Sequence, residues 1–237
     1  YATIDLILND YMALVAGKFL SPIGQFRQNV HPSWINKLPT APVGFGHGGA
    51  APLSDLGVQL RGGIPLSGSM RANYALFTSN GPTLLVDGHG DEVELEMETE
   101  AAASNADGNF VYGGRVGFLP MPALELGLSG ALGKVGVAEG HEVSELAAGE
   151  PDRDYTVLGA DAIYNIATLQ LRGEFIQQTV GSEANSTVAD GAAAEEIDFR
   201  AWYAQAAYRV PDTKWEGVVR IGDLDTPNAD ANRSQWS

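Results

Sequence analysis

The order of the connections is what most constrains this chain. Ten stretches alternate apolar with polar residues: 1–8, 11–20, 56–66, 70–80, 110–120, 123–134, 154–165, 168–180, 199–210 and 214–223. Period-two alternation marks strands with two unlike faces. The connections between them come in two kinds, in strict order. Short turns fall at Asn9-Asp10, Ser67-Gly68-Ser69, around Pro120-Met121-Pro122, at Ile166-Ala167 and around Pro211-Asp212-Thr213. Long segments rich in Gly, Ala, Asp, Glu and Pro fall at about 21–55, 81–109, 135–153 and 181–198. Hairpins with short turns at one end and long loops at the other are the pattern of an outer-membrane barrel. A soluble β-sandwich spaces its turns more evenly and seldom needs four such loops. The reading is therefore all-β: an antiparallel up-and-down transmembrane β-barrel, a single unit over 1–237 with about ten strands visible.

The two faces differ in kind. In 168–180 the even positions hold Gln170, Arg172 and Glu174, and the odd ones Leu169, Leu171, Gly173 and Phe175. In 110–118 Phe110, Tyr112, Val116 and Phe118 share one face and Arg115 takes the other; in 154–165 Asp161 lies opposite Leu158, Ala160, Ala162 and Tyr164. One face is apolar, with aromatics near the strand ends as in an interfacial girdle. The other carries charge in mid-strand. Parity places Lys18, Arg61, Arg71, Arg115, Arg172, Arg209 and Arg220 on that polar face, with Asp5, Glu125, Asp161, Glu174 and Glu216. Seven cations against five anions make a mildly basic wall in a chain whose net charge is -16. Two readings of the wall stand: an anion-tolerant lumen, or arginines and carboxylates that pair and hold a hydrated wall in shape.

Composition removes several alternatives. The chain has no cysteine, which excludes thiol catalysis and disulfides. Its acidity argues against nucleic acid as a partner. No run approaches the roughly 18 apolar residues of a membrane helix, a test that barrel strands do not face. The start inside the strand-like run YATIDLIL suggests further strands upstream.

Four elements carry a resemblance: GKFLSPIG at Gly17 to Gly24, WINKLP at Trp34 to Pro39, LGVQLRG at Leu56 to Gly62 and YALFTSNGP at Tyr74 to Pro82. Together they resemble the family of large outer-membrane porins that includes the phosphate-selective porins. They cover about the first 80 residues; beyond that only the strand rhythm matches. The resemblance implies a sixteen-stranded, trimeric porin in the outer membrane of a Gram-negative bacterium. Lipid and lipopolysaccharide would surround it, small ions or solutes (anions such as phosphate among them) would pass passively, and it would have no cofactor and no enzymatic activity. The C-terminal Gln235-Trp236-Ser237 departs from the family's closing strand. On this reading Lys18 ends a strand facing the channel, and Arg27 and Lys37 open a long external loop at the pore mouth.

Other chemistry is poorly supported. His31, His47, His89 and His141 all lie in the long segments, with no His-x-x-x-His pair. Asp87 to Asn109 holds eight acids and no Lys or Arg, but not the spacing of a calcium-binding EF-hand loop. It reads as a solvated acidic loop; folded inward, it would favour cations. GFGHGG at 44–49 lacks the lysine and the helix of a phosphate-binding loop. A soluble β-sandwich binding module and a barrel hydrolase acting at the rim are the competing classes.

Overall fold

A computed structural model describes residues 2–30, 32–89, 92–100, 105–140, 146–188, 194–228 and 231–237. Eleven strands form one antiparallel sheet. They are β1 (Ala2–Asn9), β2 (Met12–Leu20), β3 (Ser54–Pro65), β4 (Arg71–Ser79), β7 (Val111–Met121), β8 (Leu124–Val135), β10 (Arg153–Ile166), β11 (Leu169–Val180), β12 (Ile197–Arg209), β13 (Glu216–Asp225) and β14 (Arg233–Trp236). Each pairs with the next in that order, and β1 and β14 stand at the two edges. A second sheet of three strands, β5 (Thr83–His89), β6 (Glu92–Glu98) and β9 (Val137–Glu139), is built from the long segments. All ten expected strands are present, and the tight turns fall where expected. Ala167 and Asp212 take left-handed backbone conformations there, as short hairpin turns require.

Cross-strand partners share a face, so the register assigns every side chain. Val15 faces Gln59, Gln59 faces Phe77, and Ala75 faces Arg115; Asp161 faces Glu174, and Glu174 faces Tyr203. This is the inner face. The outer face carries Leu76, Val116, Leu126, Leu128, Leu132, Leu158, Leu171 and Val219, all exposed. Leu128, Leu132, Leu158 and Val219 are 70%, 65%, 62% and 63% exposed. Tyr74, Phe118, Tyr164 and Tyr208 lie toward the short-turn end of this face, and Lys134, Asp154, Asp198, Arg200 and Asp225 toward the long-loop end. The eight residue steps from Tyr208 to Arg200 span about 26 Å along the strand at 3.3 Å each.

The inner face is not bare. Segment 21–53 folds back across it, through a wide helical turn at Phe26–Val30 and one helical turn at Ser33–Asn36. Ile23, Phe26, Val30, Phe45, Ala50, Ala51 and Leu53 are buried there. Phe26, Phe45 and the wall residue Tyr203 form a mutual edge-to-face cluster with centroids 5.1 to 6.2 Å apart. Full burial of one such ring contributes about 1.5–3 kcal/mol. This apolar core occupies the long-loop half of the interior, and the small sheet extends it through Leu84, Val86, Leu95, Met97 and Val137.

Three expectations need correction. The segments at 81–109 and 135–153 are not simply loops. Val93, Leu95 and Met97 alternate with Glu94, Glu96 and Glu98, turning an apolar edge inward, and Asn228 grips both the N–H and the C=O of Leu95 at 3.0 and 2.8 Å. The C-terminus does lie on a strand, with Gln235 opposite Gly222 and Trp236 opposite Ile221. Segment 21–55 is not external, because its apolar side chains have an apolar inner wall to bury against.

Candidate functional site

The inner wall gathers nearly all the charged residues that parity selected. Arg115 forms its centre. Its Nε and Nη2 donate to the two oxygens of Asp161 at 2.8 and 2.6 Å, Nη2 also reaches Glu125 at 3.0 Å, and Nη1 donates to Asn73 at 3.1 Å. Asn73 in turn donates to Glu125 at 3.0 Å. Glycine makes this possible: a Cβ on Gly127 would stand 2.3 Å from the Arg115 Nη2 and from Asp161, and one on the facing Gly117 2.2 Å from Asn73. The guanidinium is thus held flat against the wall by two carboxylates.

Glu174 holds the inserted segment. Its carboxylate accepts the backbone N–H groups of Gln25 and Phe26 at 3.2 and 2.9 Å, while Gly24 N–H donates to the Ser129 hydroxyl at 3.2 Å. Gly24 sits at φ +72°, and a Cβ there would meet the Glu174 carboxylate at 1.7 Å. A carboxylate that receives charge-assisted N–H bonds is a strong anchor.

A second group lies toward the short-turn end. Arg220, 1% exposed, donates to Gln205 and to the Thr40 carbonyl, both at 2.9 Å, and to the Asn36 side chain. It also stands over the Tyr203 ring at 6.0 Å. Arg172 donates to the Ile35 carbonyl at 3.0 Å and to Gln170. Lys37 reaches Glu216 at 2.9 Å, and Arg209 lies 3.7 Å from the same carboxylate. Charge is therefore sorted across the interior. Asp161, Glu125 and Glu174 outnumber Arg115 on one side, while Arg172, Arg209, Arg220 and Lys37 share Glu216 on the other.

Open space remains where the insert does not reach. A polar cavity of about 500 Å³ lies between the inner face of β1 to β4 and Gln28 and Asn29 of the insert. Arg61, Asn73, Arg115 and Tyr11 line it. Arg61 is partly exposed and pairs with Asp5 at 2.8 Å. No family model matches the chain, and the comparisons with curated proteins and with solved structures found no match.

Set against the residues singled out in the sequence, Arg61, Arg71, Arg115, Arg172, Arg209, Arg220, Asp161 and Glu174 all face inward. Of these, Arg115, Arg172, Arg220, Asp161 and Glu174 are buried beneath or beside the insert, while Arg61, Arg71 and Arg209 stay exposed. Lys18 does not face inward. It pairs with Ala2 and Leu56 on the outer face, because Val15 and Phe19 turn into the core and fix the opposite parity. A lysine near the long-loop end of an apolar face lays its stem along that face and carries its ammonium to the rim. Arg27 is buried within the insert, and Lys37 sits at the short-turn end, so neither marks a mouth on the long-loop side. Sequence reading missed Asp55, Gln59 and Gln178, inner-face polar residues that are almost wholly buried. Parity alone would have found them. His47 is exposed, 3.7 Å from Glu100. His31, His141 and the His89 side chain lie outside what is described. Among the described residues no group of three His, Asp or Glu is placed to hold a metal ion.

Proposed function

We propose that the chain is the wall and constriction of an outer-membrane β-barrel channel, a porin for small hydrophilic solutes and ions. The observation that carries this reading is the exposed outer face. A continuous aliphatic belt runs across consecutive strands, with aromatics at one margin and charges at the other, opposite an inner face that holds the charge. Water disfavours such a surface, and a bilayer requires it. The inserted segment narrows the interior, and the polar cavity beside Arg61 is what it leaves for a solute. Six inward arginines meet six inward carboxylates, Asp55 among them, and the insert, which carries Arg27 and Lys37 and no acid, tips the balance toward anions, phosphate among them. Closure with further strands and assembly as a trimer in a Gram-negative outer membrane complete the proposal, since an open sheet edge has no place in hydrocarbon. Planar-bilayer recording of the purified protein tests it: ohmic conductance is expected, with a reversal potential on the anion side under a salt gradient. A protein that stays monodisperse without detergent and conducts nothing would refute the channel.

A further inference from the structure

The polar cavity of about 500 Å³ between β1 to β4 and the insert falls within the roughly 300–1,000 Å³ of small-molecule sites. Its charges are already committed. Arg115 gives Nε and Nη2 to Asp161 and Glu125 and Nη1 to Asn73. Arg61 is paired with Asp5. Asp10, the remaining charge of the lining, is exposed at the turn between β1 and β2. Two arginines thus meet four carboxylates, and the cavity holds no surplus positive charge for an anion. What the lining leaves open is neutral. Among the described residues the Gln28 side chain and the Tyr11 hydroxyl make no hydrogen bond. Asn29 commits only its Nδ2, to Gln25, and Asn9 only its Oδ1, to the Tyr11 N–H.

We propose that this cavity binds an uncharged polyhydroxylated solute of monosaccharide size. The proposal rests on the channel reading only for the solute's route; the site itself stands on its lining. A sugar hydroxyl both donates and accepts hydrogen bonds. It is matched by groups that offer both, as the amides of Gln28, Asn29 and Asn9 and the hydroxyl of Tyr11 do. A phosphate ion needs charged donors that are free to turn toward it, and those of Arg115 are taken. An organic cation would find Asp10 only at a solvated turn. Tyr11, half exposed, adds an aromatic surface for the C–H face of a sugar ring. Gly63 keeps the floor open: it lies opposite Asn73 on the inner face, and a Cβ there would meet only the Ala72 carbonyl, at 3.8 Å. The inward arginines act on ions in transit through their field, whereas a neutral solute is held here by hydrogen bonds between the wall and the insert.

The test is calorimetric titration of the purified protein in a detergent without a sugar headgroup. The probes are D-glucose and D-mannitol, with inorganic phosphate and choline as charged rivals. The expected result is saturable binding of at least one neutral probe, insensitive to added salt because no charge is screened, and not displaced by phosphate or choline. Gln28→Ala should weaken it about fivefold, the worth of one hydrogen bond. Gly63→Leu fills the floor of the cavity and removes a glycine from a strand, so it should abolish binding and keep the parent's Tm. It touches none of the paired charges, and the sign of the reversal potential should persist. Absence of binding by both neutral probes, displacement by phosphate or choline, or full binding in Gly63→Leu would overturn the site, while ohmic conductance in the same preparation would leave the channel standing. Saturable binding in a protein that conducts nothing would uphold the site and sink the channel.

Discussion

Leu128 offers the sharpest test of where the outer face lies. It sits in β8 between Val116 of β7 and Ala160 of β10 and is 70% exposed, with nothing of this chain packed over it. Along the strand it is about 13 Å from Leu124 at the short-turn end and about 20 Å from Lys134 at the charged rim, at 3.3 Å per residue. That places it deep in the apolar belt. Leu128→Arg therefore separates two environments. In a bilayer an arginine near the midplane costs about 2–4 kcal/mol, about 30- to 900-fold in the folding equilibrium. In water, the same change at an exposed position stays within about 0.5 kcal/mol. Thr156→Arg, on the same face near the rim residue Asp154, is the control and should cost only about 0–1 kcal/mol. The assay is denaturant titration of folding into lipid vesicles, following the shift in midpoint at constant slope. If Leu128→Arg matches Thr156→Arg, or if the variant becomes more soluble without any loss of stability, the outer face does not meet lipid and the channel reading falls with it.

Two further predictions concern charge. Lys37→Gln removes a cation from the basic side of the interior and should move the reversal potential toward cations, at a stability cost of about 1 kcal/mol or less for a partly exposed pair. Lys18→Gln, on the outer face, should leave the reversal potential where it was; single-channel recording under a salt gradient reads both. The second concerns Glu150, whose side chain is buried against Arg153 in segment 135–153. Burial pushes its carboxyl up, but the Ser186 hydroxyl, the Thr187 N–H and Arg153 outweigh that and hold it below the ordinary glutamate value of 4.5. A depressed folded value means that the stabilisation is complete above pH 4.5 and is lost as pH falls through the folded value. Hydrogen exchange at Thr187, protected at pH 6 after correction for intrinsic rates, should lose protection on acidification below that point, and Glu150→Gln should remove the pH dependence.

The strands were legible because alternation reports two faces directly, and register then carried the assignment from strand to strand. Lys18 misled because charge was taken as the sign of the inner face. The true signal was Val15 and Phe19, whose packing fixes the parity of β2. The β6 strand was legible too, in Val93, Leu95 and Met97, but an acid at every second position made it look solvated when it is half-buried. What could not be read was the path of segment 21–55. Its course depends on a tertiary match between Phe26, Phe45 and a tyrosine more than 150 residues away, and on Glu174 meeting the N–H groups of Gln25 and Phe26. No local propensity encodes such a match.

The insert changes what the inward charges can do. In an open lumen Arg172 and Arg220 would meet solutes, but here Arg220 spends its donors on Gln205, the Thr40 carbonyl and Asn36, and Arg172 gives Nη2 to the Ile35 carbonyl and Gln170. Arg115 is covered by two carboxylates. In the proposed channel a passing ion would therefore meet Arg61, Arg71 and Arg209 at contact range and feel the buried residues only as a field, which at low dielectric still reaches across a narrow passage. Glu174 anchors the first turn of the insert, and Arg172, Arg220 and Glu216 anchor its far end. On the channel reading, selectivity and constriction would thus rest on the same wall residues, and a substitution that frees the insert would change pore size and field together. Conductance and reversal potential should move as a pair in such variants, whereas changes at Arg61 or Arg209, which hold no part of the insert, should move the reversal potential alone.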